Sequence, residues 1–145
     1  MKIDAENLFS DEQAITAAAG STNILDLGAV RNIGVGKTIY LVVVVDVAFT
    51  DAGSDSTLTV TVETDNDVAF GSPTLAAQTV GTFAALSAIG SRLVARLQPD
   101  AILERYMRVY YTPNNGDLTT GSVTTFLTLG IDAYTAYADA VTITG

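Results

Sequence analysis

The chain has 145 residues, a formal net charge of −9 and no Cys, His or Trp. Without His or Cys it can build neither a Ser-His-Asp nor a Cys-His nucleophile, and it offers no imidazole or sulfur ligand to zinc, copper or haem. The acidic balance repels a phosphate backbone, so nucleic acid is not an expected partner.

A single domain of this length buries about 70% of its unfolded surface and needs no disulfide or metal to hold a core. The composition is that of a β protein. There are 20 Thr and 15 Val, and Lys occurs only at positions 2 and 37. Thr and Val are stiff at χ1 and suit a pleated, half-buried surface, whereas exposed helices draw on Lys and Glu. Charged residues are only 16% of the chain, which suggests that part of the surface is covered by something else. The most apolar run, Ile39 to Phe49, contains Asp46 and is about half of the roughly 20 residues a membrane helix needs. Ala14 to Ala19 follows Asp11 and Glu12 rather than a basic segment, so it does not read as a signal peptide. The chain is expected to start at or near Met1, with no membrane partner.

In chain order, residues 1–13 are acidic around Leu8 and Phe9. Ser10 to Gln13 forms a weak capping box for a helical turn. The stretch reads equally as a frayed tail and as an arm that docks Leu8 and Phe9 elsewhere. Ser21 to Leu27 is a short strand, and Arg31 to Gly36 a glycine loop. Thr38 to Phe49 is the strongest strand, its unbroken Val run implying cover on both faces. Thr57 to Thr64 alternates, with Leu58, Val60 and Val62 inward. Thr74–Val80 and Thr82–Ile89 read as two weaker strands around Gly81. Ser91 to Leu97 places Leu93, Ala95 and Leu97 on one face. Glu104 to Thr112 points Met107, Val109 and Tyr111 one way and Tyr106, Arg108 and Tyr110 the other. Pro113 to Asp117 is a hairpin loop, where Asn115-Gly116 favours positive φ. Ser122 to Ile131 closes a set of about eight strands at the spacing of a sandwich or barrel. The last fourteen residues carry Tyr134 and Tyr137 without core periodicity.

Candidate chemistry is thin. Gly34-Val35-Gly36-Lys37-Thr38 ends like a phosphate-binding loop, but Arg31 stands where the first glycine is needed and a strand follows instead of a helix. Asp65-Asn66-Asp67 lacks the further ligands of a calcium loop, since Ala69 and Phe70 occupy those places. Asp51 and Asp55 around Gly53 are similarly incomplete, and Asp and Asn are ordinary turn formers. No catalytic, metal or cofactor residues are assigned. A carboxylate pair for hydrolysis needs a set separation across a cleft, which spacing cannot show. The Tyr106/Arg108/Tyr110 face could be a contact surface, as Tyr and Arg are enriched at hot spots. Cross-strand pairing within the sheet is the plainer account, favoured for Tyr106 and Arg108 and left open for Tyr110. Arg92, Arg96, Arg105 and Arg108 are expected to pair with acids of this chain or a neighbour.

Asn7 to Thr16, Ser21 to Gly28, Arg31 to Gly36 and the strand Tyr40 to Val45 together resemble the capsid cement proteins of the Bordetella-phage type. Thr57 to Asn66 and Glu104 to Arg108 are also similar. The resemblance runs from about Asn7 to Ile131. It implies an all-β, single jelly-roll domain (a two-sheet β-sandwich) over 17–131, with an N-terminal arm over 1–16 and a C-terminal tail over 132–145. It also implies a homotrimeric virion protein without enzymatic activity or cofactor. Such a protein binds the phage major capsid protein on the outside of the head, at three-fold and quasi-three-fold positions. Trimers engage several weak contacts at once. Leu8 and Phe9 at one end and Tyr134 and Tyr137 at the other are the expected arm anchors, with Arg108 and Tyr110 as further interface candidates. Other readings are a carbohydrate-binding jelly-roll module, a jelly-roll hydrolase using loop carboxylates, and a tail or head-completion protein.

Overall fold

The computed structural model describes residues 7–28, 38–71, 75–98 and 104–129. The glycine loop Arg31–Gly36 and the tail with Tyr134 and Tyr137 lie outside them. Nine strands form among the described residues: β1 Leu8–Ala14, β2 Ala19–Gly20, β3 Leu25–Asp26, β4 Tyr40–Thr50, β5 Thr57–Asp65, β6 Leu75–Phe83, β7 Arg92–Arg96, β8 Tyr106–Asn114 and β9 Thr120–Thr128. One sheet has the order β1-β9-β4-β7. The other is β2-β8-β5-β6, with β3 beside β2 along the same edge of β8. Every pairing is antiparallel. With β2 and β3 taken as one interrupted strand, the chain crosses between the sheets at every step except the β5–β6 hairpin, and its first and last strands become neighbours. That is the two-sheet wrapping of a jelly roll.

The core lies between the sheets and follows from strand alternation. β5 contributes Leu58, Val60 and Val62, and β8 contributes Met107, Val109 and Tyr111, all buried. Facing them are Leu41, Val43, Val45 and Phe49 of β4 and Val123 and Leu127 of β9. The Val run of β4 has its expected place as an inner strand, between β9 and β7. Phe49 meets Phe83 edge-on, with centroids 5.6 Å apart.

Tyr111 ties the two sheets together. Its hydroxyl lies 2.7 Å from Ser10 Oγ on β1 and donates to Thr125 Oγ1 on β9 at 2.8 Å. Three buried polar groups from both sheets thus satisfy one another.

Several sequence expectations change. Ser10 to Gln13 is strand, not a helical turn: the Ser10 hydroxyl does reach Gln13 Oε1, at 2.7 Å, but across a bulged edge. There Glu12 has φ 47° and its amide donates to Thr124 Oγ1. The expected strand Ser21–Leu27 shrinks to Leu25–Asp26, because Ser21 turns back to donate from its hydroxyl to Asn23 O. The two weak strands around Gly81 are one, β6, and residues 84–91 hold no strand. Gly81 does not break β6; it permits close approach, since a Cβ there would lie 3.1 Å from the Leu93 side chain of β7. β8 runs through Pro113 to Asn114 before Asn115 and Gly116 turn it with positive φ.

Candidate interaction faces

A sandwich offers two outer faces. On the β8–β5 face, Tyr106, Arg108, Tyr110 and Thr112 of β8 stand opposite Asp65, Glu63, Thr61 and Thr59 of β5. Arg108 Nε donates to Glu63 Oε2 at 2.8 Å, and both side chains are mostly buried. The guanidinium carbon lies 4.2 Å from the centroid of the Phe70 ring and 5.0 Å from that of Tyr110. On its other flank is Gly20 of β2, where a Cβ would come within 3.2 Å of the Arg108 side chain. Arg108 is therefore boxed in by an acid, two rings and a glycine of its own chain. The plainer account, cross-strand pairing, holds for its charge.

The same face carries a second closed pair. Arg105 reaches Asp26 with two hydrogen bonds of 2.8 Å, fastening β3 to the start of β8. The Arg105 guanidinium, with a backbone N–H from Gly28, holds the Asp26 carboxyl down at about 2. Threonines complete the surface: Thr59 and Thr82 hydroxyls lie 3.0 Å apart, and the Asn114 amide donates to Thr59 at 2.9 Å.

The β1-β9-β4-β7 sheet is different outside. Val123 and Leu127 point into the core, so Phe126 points out; Leu41 and Val43 point in, so Val42 points out. Register places Leu8 opposite Phe126, Phe126 opposite Val42, and Val42 opposite Val94. The four make one apolar row across the whole sheet. Flanking it on β7 are Arg92 and Arg96, both exposed, and neither forms an ion pair with a described residue. Among the described residues of this chain, the expected acids are found for Arg105 and Arg108.

Of the candidate interface residues, Leu8 lies on this outer row, partly buried. Phe9 does not: it is 2% exposed and belongs to the core of its own chain. Residues 8–14 are an edge strand paired with β9 and not a free arm: alternation turns Leu8 out and Phe9 in, and the bulge brings Ser10 to the core side as well. Arg108 and Tyr110 lie on the opposite face of the sandwich. Sequence reading missed Phe126, Val42 and Val94; the only available signal was the unbroken apolar run of β4, which requires cover on both faces.

Among the described residues no group of three or more acidic side chains gathers that could hold a metal. A groove of about 410 Å³ lies between β1 and the β2–β3 loop, and its lining, Asn7, Leu8, Phe9, Thr22, Asn23, Ile24 and Leu25, carries no titratable side chain.

Fold and faces together define a small jelly-roll module with two outer sheet surfaces. The chain belongs to the Bbp16 family, whose model matches residues 9–127. That membership places it among bacteriophage structural proteins, as a virion component. No curated protein matches it. Among solved structures it is similar to a recombinantly expressed latent aurone synthase (polyphenol oxidase), at 19% identity and a TM-score of 0.40 over 89% of this chain. The chain spans about 28% of that protein's length.

Proposed function

We propose that the protein is a capsid cement protein. In this reading it binds the major capsid protein on the outer surface of the phage head, as a homotrimer at three-fold and quasi-three-fold positions, and stabilises the shell. The observation that carries the reading is the family match across nearly the whole described sandwich. One feature of the molecule supports it. An acidic protein on the outside of a head does not compete for packaged DNA. A trimer bound across several capsid subunits opposes their separation when the shell is strained, by engaging its contacts together.

The test is binding to purified undecorated heads. The expected result is saturable co-sedimentation in a fixed ratio to the capsid protein, with electron microscopy placing the added density outside the shell at three-fold positions. Light scattering on the free protein should give three times the 15.1 kDa chain mass. Density on the tail or at the head vertex, or no saturable binding, would overturn the cement reading. Deletions that probe the N-terminal segment must stop at Glu6, since Phe9 and Ser10 belong to the core.

A further inference from the structure

The β4–β9 register slips between Val45 and Val47. Val45 and Phe49 are each 1% exposed, while Val47 between them is turned out and 51% exposed. A bulge re-aims a side chain in this way. Beside it runs the loop between β6 and β7. The Gly90 amide donates to Val45 O at 2.8 Å and the Phe49 amide to Ser87 O at 3.1 Å, so Ala88 and Ile89 lie alongside Val47. Ile89 is 72% exposed and Leu86 51%. Leu86 holds φ 57°, a conformation that bulky side chains rarely adopt. We propose that Val47, Leu86 and Ile89 form a self-association surface, and that its occupant is a second copy of this chain. The inference rests on the homotrimer of the proposed function and names the surface through which the copies meet.

The loop holds its apolar side chains out in a fixed shape. Ser87 Oγ donates to Ala84 O at 2.8 Å and the Ser91 amide to Ala88 O at 3.0 Å, and Gly90 turns the chain with φ 81°. Such a preorganised patch loses little freedom on binding. Charge selects the occupant. No charged residue occurs from Val68 to Ser91. Asp46, next to Val47, turns to β9, where its Oδ2 accepts from Thr124 Oγ1 at 2.7 Å. Arg92 stands at the rim, where β7 begins. The neighbouring loops at this end of the sandwich carry Asp51, Asp55 and Asp117. Copies of a chain with net charge −9 repel one another wherever acid faces acid. Close to a symmetry axis each residue meets its own equivalent, so a contact between copies there needs a patch without charge. Val47 and the β6–β7 loop meet that condition, and charge-depleted apolar cores are typical of homo-oligomer contacts. Val68, at the opposite end of β5, is 53% exposed but stands next to Asp67.

The test is light scattering on the free protein across a concentration series, beside co-sedimentation with undecorated heads. Wild type should show a multiple of the 15.1 kDa chain mass. Ile89→Asp changes a side chain that is 72% exposed, so the β circular dichroism should stay as in wild type while the mass falls to that of one chain. Val68→Asp, at the opposite end, should leave the mass unchanged; an equal fall in both variants overturns the inference, because added charge anywhere would then do the same. A wild type that stays monomeric overturns the inference together with the homotrimer. An Ile89→Asp protein that keeps the wild-type mass overturns the inference and leaves the homotrimer standing, and loss of head binding in that variant assigns the patch to the capsid protein. If wild type self-associates but binds no heads, the cement reading fails, and the fall in mass of Ile89→Asp still supports the inference. Should Ile89→Asp not fold, Ile89→Ser and Val47→Thr take its place. Each should weaken self-association about tenfold, and an unchanged dissociation constant in both overturns the inference.

Discussion

On the outside of β8, Arg108 meets Glu63 at 2.8 Å and lies against two aromatic rings. On the outside of β7, Arg92 and Arg96 meet no described acid, and between them stands an apolar row. The two faces share one fold and one residue vocabulary, yet they do opposite things. The β8–β5 face carries the residue types usually sought at interfaces, Tyr and Arg, and spends them on partners within its own sheet. The β1-β9-β4-β7 face also carries Tyr40, Arg92 and Arg96, but there the arginines have no acid among the described residues and stand beside apolar surface. A cluster of hot-spot residue types is therefore weaker evidence for a contact than an outward apolar side chain that has been taken out of water.

The sharpest way to break this comparison is to place one charge on each face. Phe126→Asp puts a carboxylate where the side chain is 2% exposed and should cost about 3 kcal/mol or more in denaturant unfolding. Thr61→Asp, at the matching mid-strand position of the other face, should stay within about 0.5 kcal/mol. Equal costs would show that the two faces are covered alike. A smaller effect separates the arginines. Glu63→Gln leaves a mostly buried guanidinium with a weaker acceptor and should cost roughly 1–3 kcal/mol. Arg96→Gln, which breaks no described ion pair, should change thermal stability little. If Arg96→Gln is the more damaging of the two, its acid lies outside the described residues.

What could be read from the sequence tracks how local each feature is. Leu58-Thr59-Val60-Thr61-Val62 declares its faces by alternation alone, and so does Met107 to Tyr111; both landed as expected. β9 hides its faces, because Val123-Thr124-Thr125-Phe126-Leu127 places Thr inside and Phe outside. Thr125 is inside because Tyr111 hydrogen-bonds it across the core, and that partner comes from the other sheet. The Arg108–Glu63 pair spans 45 positions and exists only through the β5–β8 register. Phe9 and Ser10 both face the core because a one-residue bulge, which no local pattern announces, breaks the alternation of β1. The apolar row is a product of register across four strands, so no single stretch of sequence displays it.

The Tyr111 hydroxyl tests how firmly the two faces are held back to back. Tyr111→Phe keeps the ring and removes the shared hydrogen bonds to Ser10 and Thr125, so it should cost roughly 1–2 kcal/mol. Burial pushes the Tyr111 hydroxyl from 10.0 up to about 12. The folded state thus holds this proton more tightly than the unfolded chain. Its contribution is complete below pH 10 and is lost as the pH rises toward about 12. The variant should lack this share of the alkaline loss, which a pH series of urea melts would read. A wild type and variant with parallel alkaline profiles would mean that Tyr111 titrates like an exposed tyrosine.

The smallest effect belongs to the exposed pair on the β8–β5 face. Asp26 is held at about 2 by Arg105 and the Gly28 amide, against 3.8 for a free aspartate. Its stabilising share is present above pH 3.8 and disappears as the pH falls through about 2, because the unfolded chain takes up the proton first. Asp26→Asn should therefore be slightly less stable than wild type at neutral pH, with the difference closing in strong acid. Since both side chains are 45% exposed, salt should shrink the neutral-pH difference as well. Arg108 and Glu63, screened by Phe70 and Tyr110, should lose much less to salt. A pair that responds to salt beside one that does not would show that closure on this face comes from the rings over Arg108 as much as from opposite charge.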